Sequence, residues 1–200
     1  MSLTFIMDTE ADGLLDTITQ FWCLVFKEQG VERYRIFSDH CHEWKGHHVY
    51  PTSLVSTMLN REACRIVGHN IMDFDLRAMQ RLLNIDFSVS PDVVAGKNIE
   101  IVDTLVWSRY LKPDRLLPKG CPTTQWNEVE KKNNLVGPHS LAAWSYKTGG
   151  KKPIIDDWRN LPIEDYIERC VEDTRNNDLV YVELLKEIES LSGESIDDYL

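Results

Sequence analysis

The sequence predicts an α/β fold: a mixed β-sheet of three antiparallel strands then parallel strands, flanked by helices. Three observations carry this expectation. Apolar, β-branched and aromatic stretches separated by short turns fill residues 3–37 and read as an antiparallel meander. From residue 52 onward, short apolar strands alternate with helical patterns, the arrangement that lays helices over a sheet. The chain has 200 residues, 42% hydrophobic and 27% charged, which suits one domain with a full core. We expect that domain over residues 1–190 and an acidic tail over 191–200.

The elements follow in order. "LTFIM" (3–7) is a buried strand and "DGLLD" (12–16) a turn. Residues 18–27, "ITQFWCLVFK", form a second strand, "EQG" a turn, and "VERYRIF" (31–37) a third strand. "SLVSTMLNRE" (53–62) is a helix that Thr52 or Ser53 can cap. "RIVGHN" is a short strand ending in a polar turn. From Asp75, the helical spacing of Leu76, Met79, Leu82 and Leu83 predicts a helix to residue 84. "IEIVDT" (99–104) is a strand, and Asp103 or Thr104 caps the helix "LVWSRYL". Residues 112–138 hold Pro113, Pro118, Pro122, Pro138 and two glycines, and read as a long irregular loop. "SLAAWSYKTG" is a helix capped by Ser140 and closed by Gly149, and residues 163–191 form one long final helix.

Composition narrows the function classes. No run of 18 or more apolar residues occurs, and the N-terminus lacks a signal-peptide pattern, so we expect a cytoplasmic chain. Five scattered cysteines form no C-x-x-C pair and read as reduced thiols. A net charge of -10 argues against a module that coats nucleic acid by charge alone. It leaves room for a nuclease whose acids bind metal ions and whose bases are grouped. Arg109, Lys112, Arg115 and Lys119, followed by Lys131, Lys132, Lys147, Lys151 and Lys152, interrupt the acidic background. They form either a rim that guides a DNA backbone or a solvated surface. In "DHCHEWKGHH" (39–48) the histidines and Cys41 lack a structural-zinc spacing, so we expect no zinc there.

The acids carry the chemistry. Asp8 and Glu10 lie two apart at a strand end and project from one face. Neighbouring carboxylates repel, and a divalent cation between them reverses the penalty. Hard oxygen ligands suit Mg²⁺ or Mn²⁺. Asp75 opens a helix in "GHNIMDFDLRAM" (68–79), with Asn70 and Phe74 flanking it, and Asp173 lies in the last helix within "RCVEDT". Two ions roughly 3.5–4 Å apart would clamp the attacking and leaving oxygens of a phosphodiester.

This pattern resembles the DEDD (DnaQ-like) superfamily of 3′→5′ exonucleases. "DTEADGLLDTITQFWCLVF", "VDTLVWSRYL", "GPHSLAAWSYKTG" and "RCVEDT" resemble, in order, segments of the N-terminal proofreading domain of T-seven-like phage family-A DNA polymerases. The resemblance implies a ribonuclease-H-like fold and the release of nucleoside 5′-monophosphates from single-stranded or frayed DNA 3′ ends. It implies two ions, with Asp8 bridging both, Glu10 and Asp173 completing the water-activating one, and Asp75 holding the other. It implies that Leu14 and Leu15 wedge against the terminal base. Asn70 and Phe74 beside Asp75, Arg109 of the basic cluster and His139 before its helix are the candidate substrate contacts, with a structural hydrogen bond the other reading of His139. The partners the resemblance implies are a single-stranded DNA 3′ end and a separately encoded polymerase, in the host cytoplasm if the chain is phage-encoded.

The third motif departs from the family. A Tyr four residues before the last Asp, or a His five before, orients the attacking water there. Here those positions are Arg169 and Glu168. Arg169 and Tyr166 share the helix face of Asp173, Arg169 one turn away and Tyr166 two, about 10.5 Å along the axis. Arg169 can grip a phosphate or pair with an acid, and Tyr166 is the alternative water-orienting group. The competing readings are a non-catalytic or weakly active nuclease-fold module, and an exoribonuclease.

Overall fold

Alternation along β1 (Leu3–Ala11) assigns its side chains to two layers. Phe5 and Met7 face one way, into a core with Leu24, Phe26 and Ile66. Ile6 faces the other way, against Val67, Val102, Tyr181 and Leu185. Asp8 and Glu10 share the face of Ile6, and Thr9 shares that of Met7. The computed structural model describes residues 3–87, 93–94, 97–127, 132–150 and 161–193. The expectations placed on Lys131, Lys151, Lys152, the Lys132 side chain and the tail beyond residue 193 lie outside them.

β1 pairs antiparallel with β2 (Phe21–Glu28), and β2 with β3 (Tyr34–Phe37). A short hairpin follows, β4 (Glu43–Trp44) and β5 (His47–Tyr50), with β5 parallel to β3. On its other side β1 pairs parallel with β6 (Ala63–Gly68). After the small antiparallel pair β7 (Val93–Val94) and β8 (Lys97–Asn98), β9 (Glu100–Asp103) adds parallel to β6. The seven-stranded sheet runs β4-β5-β3-β2-β1-β6-β9. It is the mixed sheet expected of an α/β chain, with three antiparallel strands and then parallel ones.

Helices cover both faces. α1 (Val55–Glu62) and α2 (Asp75–Leu83) bring Val55, Leu59, Leu76 and Met79 onto the Phe5 face. α5 (Ile163–Ser192) crosses the other face, where Ile167, Cys170 and Val171 pack on Cys23, Val25 and Ile36. α4 (Leu141–Thr148) leans on α5 through Leu141, Trp144, Val180 and Leu184. α3 (Thr104–Leu111) follows β9 directly. No helix among the described residues is long and apolar enough to cross a membrane.

Several expected boundaries are corrected. β2 begins at Phe21 rather than Ile18, because the Asp12 carboxylate accepts from Thr19 N and Gln20 N and holds that segment in the preceding loop. α1 has no side-chain cap; a 3-10 turn at Thr52–Leu54 precedes it, and Asp39 accepts from Thr52 N at 3.0 Å. The 112–138 segment is not wholly irregular, since β10 (Thr124–Asn127) and β11 (Lys132–Leu135) form a hairpin within it. Asp103 and Ser140 cap α3 and α4, and Gly149 closes α4 with a positive φ, as expected.

The end of β6 is built closely. A Cβ on Gly68 would lie 2.6 Å from Ile71 Cβ, inside van der Waals contact. Ile71 is fully buried and cannot retreat. Gly68→Ala should therefore cost about 1–3 kcal/mol, read as a lower urea midpoint with an unchanged m-value. An unchanged midpoint would mean that the turn yields freely.

Candidate active site

Three carboxylates converge where β1 meets α5. Ligand oxygens of Asp8, Glu10 and Asp173 all lie within 4.8 Å of one another. Strand and helix each contribute by simple periodicity. Asp8 and Glu10 sit opposite Val25 and Cys23 on β2 and face α5 as those residues do, and the ladder shifts register just past Glu10. Bulges of this kind re-aim strand-end side chains. Asp173 lies one turn after Cys170, whose Sγ donates to the Asp8 carbonyl at 3.1 Å. Each pair of like charges at this separation costs roughly 3 kcal/mol at an effective dielectric near 20. The donor set, all hard oxygen, fits a Mg²⁺ or Mn²⁺ ion that would reverse that repulsion. Among the described residues, this is the group of His, Cys, Asp or Glu side chains whose spacing would suit a metal ion.

Arg169 reaches the cluster from one turn earlier on α5. Its Nε donates to Asp173 Oδ2 at 2.6 Å, and both side chains are buried. Of the alternatives open in sequence, the ion pair is the one present. Tyr166 packs in the core beside Cys170 and Ile167. Its ring stacks on Trp22 at 5.0 Å, is buried in the core, and does not line the cleft. Two helical turns from Asp173, the Tyr166 ring belongs to the sheet packing.

Asp75 arrives from the opposite layer. It starts α2, is 7% exposed, and its Oδ1 accepts from Thr9 Oγ1 at 2.6 Å. It lies outside the three-carboxylate group. Burial pushes its carboxyl up to about 7, against the Thr9 hydrogen bond and with the Asp103 charge adding to the rise. The turn before it is pinned by Asp103, whose carboxylate accepts from Asn70 N (3.1 Å) and Met72 N (3.3 Å) while capping α3. Asn70 adopts φ 63, a left-handed conformation that Asn tolerates better than most residues.

An open cleft of ≈ 420 Å³ contains Asp8 and Asp173 and is lined also by Asn70, Arg109 and His139. Three of the expected substrate contacts thus border the carboxylates. His139 is held structurally as well: its Nδ1 is 2.9 Å from Ser108 Oγ, which accepts from Trp144 Nε1. Burial and the nearby Arg115 and Arg109 hold its imidazole below the usual range. His69, another residue lining the cleft, has its Nδ1 3.0 Å from Thr104 Oγ1. Leu14 is 78% exposed, whereas Leu15 and Phe74 lean on the first core. Of the two expected wedge residues, Leu14 is therefore the one presented outward.

Sequence reasoning missed Thr9 and the cysteine pair. Thr9 lies between the two acids on the opposite face, a placement the period-two pattern already contains. Cys23 and Cys170 sit beneath the cluster, and burial, with the charges of Asp8 and Glu10 adding to it, raises both thiols. No family model and no curated protein matches the chain.

Proposed function

We propose that the protein is a two-metal-ion 3′→5′ exonuclease of the DEDD type on a ribonuclease-H-like sheet. It removes nucleotides one at a time from single-stranded or frayed DNA 3′ ends and proofreads for a separately encoded polymerase. The observation that carries this reading is the convergence of Asp8, Glu10 and Asp173 within 4.8 Å, two of them, Asp8 and Asp173, lining a cleft with Arg109.

Bound Mg²⁺ or Mn²⁺ would supply the charge that acidifies an attacking water and offsets the leaving oxygen. Asp8, Glu10 and Asp173 would hold the metal through carboxylate oxygens, and Asp75 is the acid that would serve the second ion. Arg169 is a positioning residue, fixing the Asp173 carboxylate through its 2.6 Å bond. Arg109 and Asn70 contact the strand, the guanidinium offsetting phosphate charge. Leu14 packs on the terminal base. A water oxygen bonds to phosphorus as the bond to the penultimate O3′ breaks. The products are a nucleoside 5′-monophosphate and a strand with a new 3′-hydroxyl.

A 5′-labelled single strand in Mn²⁺ should shorten by one nucleotide at a time from its 3′ end. Internal cleavage, or shortening from the 5′ end, would overturn the reading. The Arg169 bond to Asp173 favours a second one, a module that binds a 3′ end without cleaving it. Metal-dependent binding with no shortening in any metal would select that alternative.

A further inference from the structure

A second pocket lies beside the carboxylate cleft, sharing Pro138 with it. Its volume is ≈ 250 Å³, and Lys112, Arg115, Trp144, Lys147 and Glu187 line it. Three cations converge on one acid. Arg115 grips Glu187 with both Nη atoms, at 3.0 and 2.6 Å, and Lys112 and Lys147 Nζ each lie 3.1 Å from Oε1. Glu183 approaches Lys147 at 3.8 Å, but Lys186 holds it at 2.8 Å. Burial works to raise the Glu187 carboxyl; the hydrogen bonds from Arg115, Lys147 and Lys112 outweigh it and bring it to about 2. Glu187 is thus an anion at every working pH, and three positive charges face one negative charge.

This excess is built, in a chain of net charge -10. The Arg115 side chain is only 9% exposed, and its Nε has no hydrogen-bond partner among the described residues. Its guanidinium lies 4.4 Å from the Trp144 ring centroid, as does Lys147 Nζ. A planar, aromatic-backed guanidinium with two ammonium groups beside it is phosphate-binding chemistry.

We propose that this pocket is a phosphate subsite, taking a backbone phosphate of the strand whose 3′ end lies among the carboxylates. The proposal rests on the nucleic-acid reading above and adds to it a second point of attachment. Phosphate also occurs as free nucleotide or inorganic phosphate, but the shared wall at Pro138 favours the strand, which can occupy both cavities at once.

The test is fluorescence anisotropy in EDTA, so that binding is read without cleavage. Labelled thymidylates of two and of about eight nucleotides are compared on the wild type and on K112Q/K147Q. Both lysines are partly exposed (50% and 36%), so their exchange for Gln is compatible with folding, and a thermal melt confirms it. The wild type should bind the longer strand at least 10-fold more tightly than the dinucleotide. The variant should forgo that gain, and its slope of log K against log salt should become shallower by about 0.7 for each phosphate it no longer neutralises. Equal affinity and slope in variant and wild type would overturn the proposal. So would inorganic phosphate saturating the pocket without competing with the longer strand, which would assign it to a free phosphate. Wild-type hydrolysis in Mn²⁺ reads the proposed function separately, so either can fail while the other stands.

Discussion

Asp75→Asn should make the metal-free protein more stable at pH 8 while removing the proposed nuclease activity. Burial raises the Asp75 carboxyl to about 7, above an unfolded value of 3.8. Between those two values the folded state binds more protons than the unfolded state, so stability falls as pH rises through the window and is flat above it. Asn carries no charge, and its side-chain oxygen can still accept from Thr9 Oγ1. The substitution should therefore stabilise by roughly 1–4 kcal/mol at pH 8 and by little near pH 4. Urea melts in EDTA at both pH values measure this. Adding Mn²⁺ should narrow the gap, because a cation stabilises the ionised wild-type group and gives the amide less. A variant less stable than wild type at pH 8 without metal would show that Asp75 is not a strained carboxyl.

Arg169→Ala should destabilise strongly. It removes the buried partner of Asp173 and leaves that carboxylate among Asp8 and Glu10 without its counter-charge. Breaking a buried pair in this way costs about 3–5 kcal/mol, comparable to the whole stability of a modest domain. Mn²⁺ should restore part of the loss, since the ion supplies positive charge at the same place. A melting temperature unchanged in EDTA would show that Arg169 contributes packing alone. A loss that Mn²⁺ leaves untouched would separate Arg169 from the proposed metal site.

These effects show which parts of the site were legible in sequence. Asp8 and Glu10 could be read together because strand periodicity is two and both sit at the end of an apolar run. Asp173 was joined to them by the resemblance of "RCVEDT" to the third motif of the exonuclease family, since nothing in its own spacing ties it to the first strand. The bond from Thr9 to Asp75 was not legible. It depends on α2 approaching from the other face, and only the sheet order decides that. Arg169 was legible as a departure but not as an ion pair, because helix geometry puts it within reach of several acids.

The fold was legible in its sheet and its five main helices and less so at its margins. The β4–β5 hairpin turns through Lys45 and Gly46, both at positive φ. Such turns announce themselves by Asn-Gly or Asp-Gly, and Lys is a rare first residue there. Strands of two and four residues carry too little alternation to compensate. The hairpin inside 112–138 was hidden by prolines that mark loops more plainly than its short strands mark a sheet. Asp103 was read as a cap, but its second use, gripping the turn at Asn70 and Met72, needs β6 and β9 to be neighbours.

Release of nucleoside 5′-monophosphates from 3′-labelled single-stranded DNA and RNA, in Mg²⁺, Mn²⁺ or EDTA beside an Asp8→Ala control, tests the central claim most directly. The account predicts metal-dependent release from DNA, none in EDTA, and a rate in Asp8→Ala lower by roughly 10³-fold or more. No release in either metal, or release that Asp8→Ala leaves intact, would contradict it.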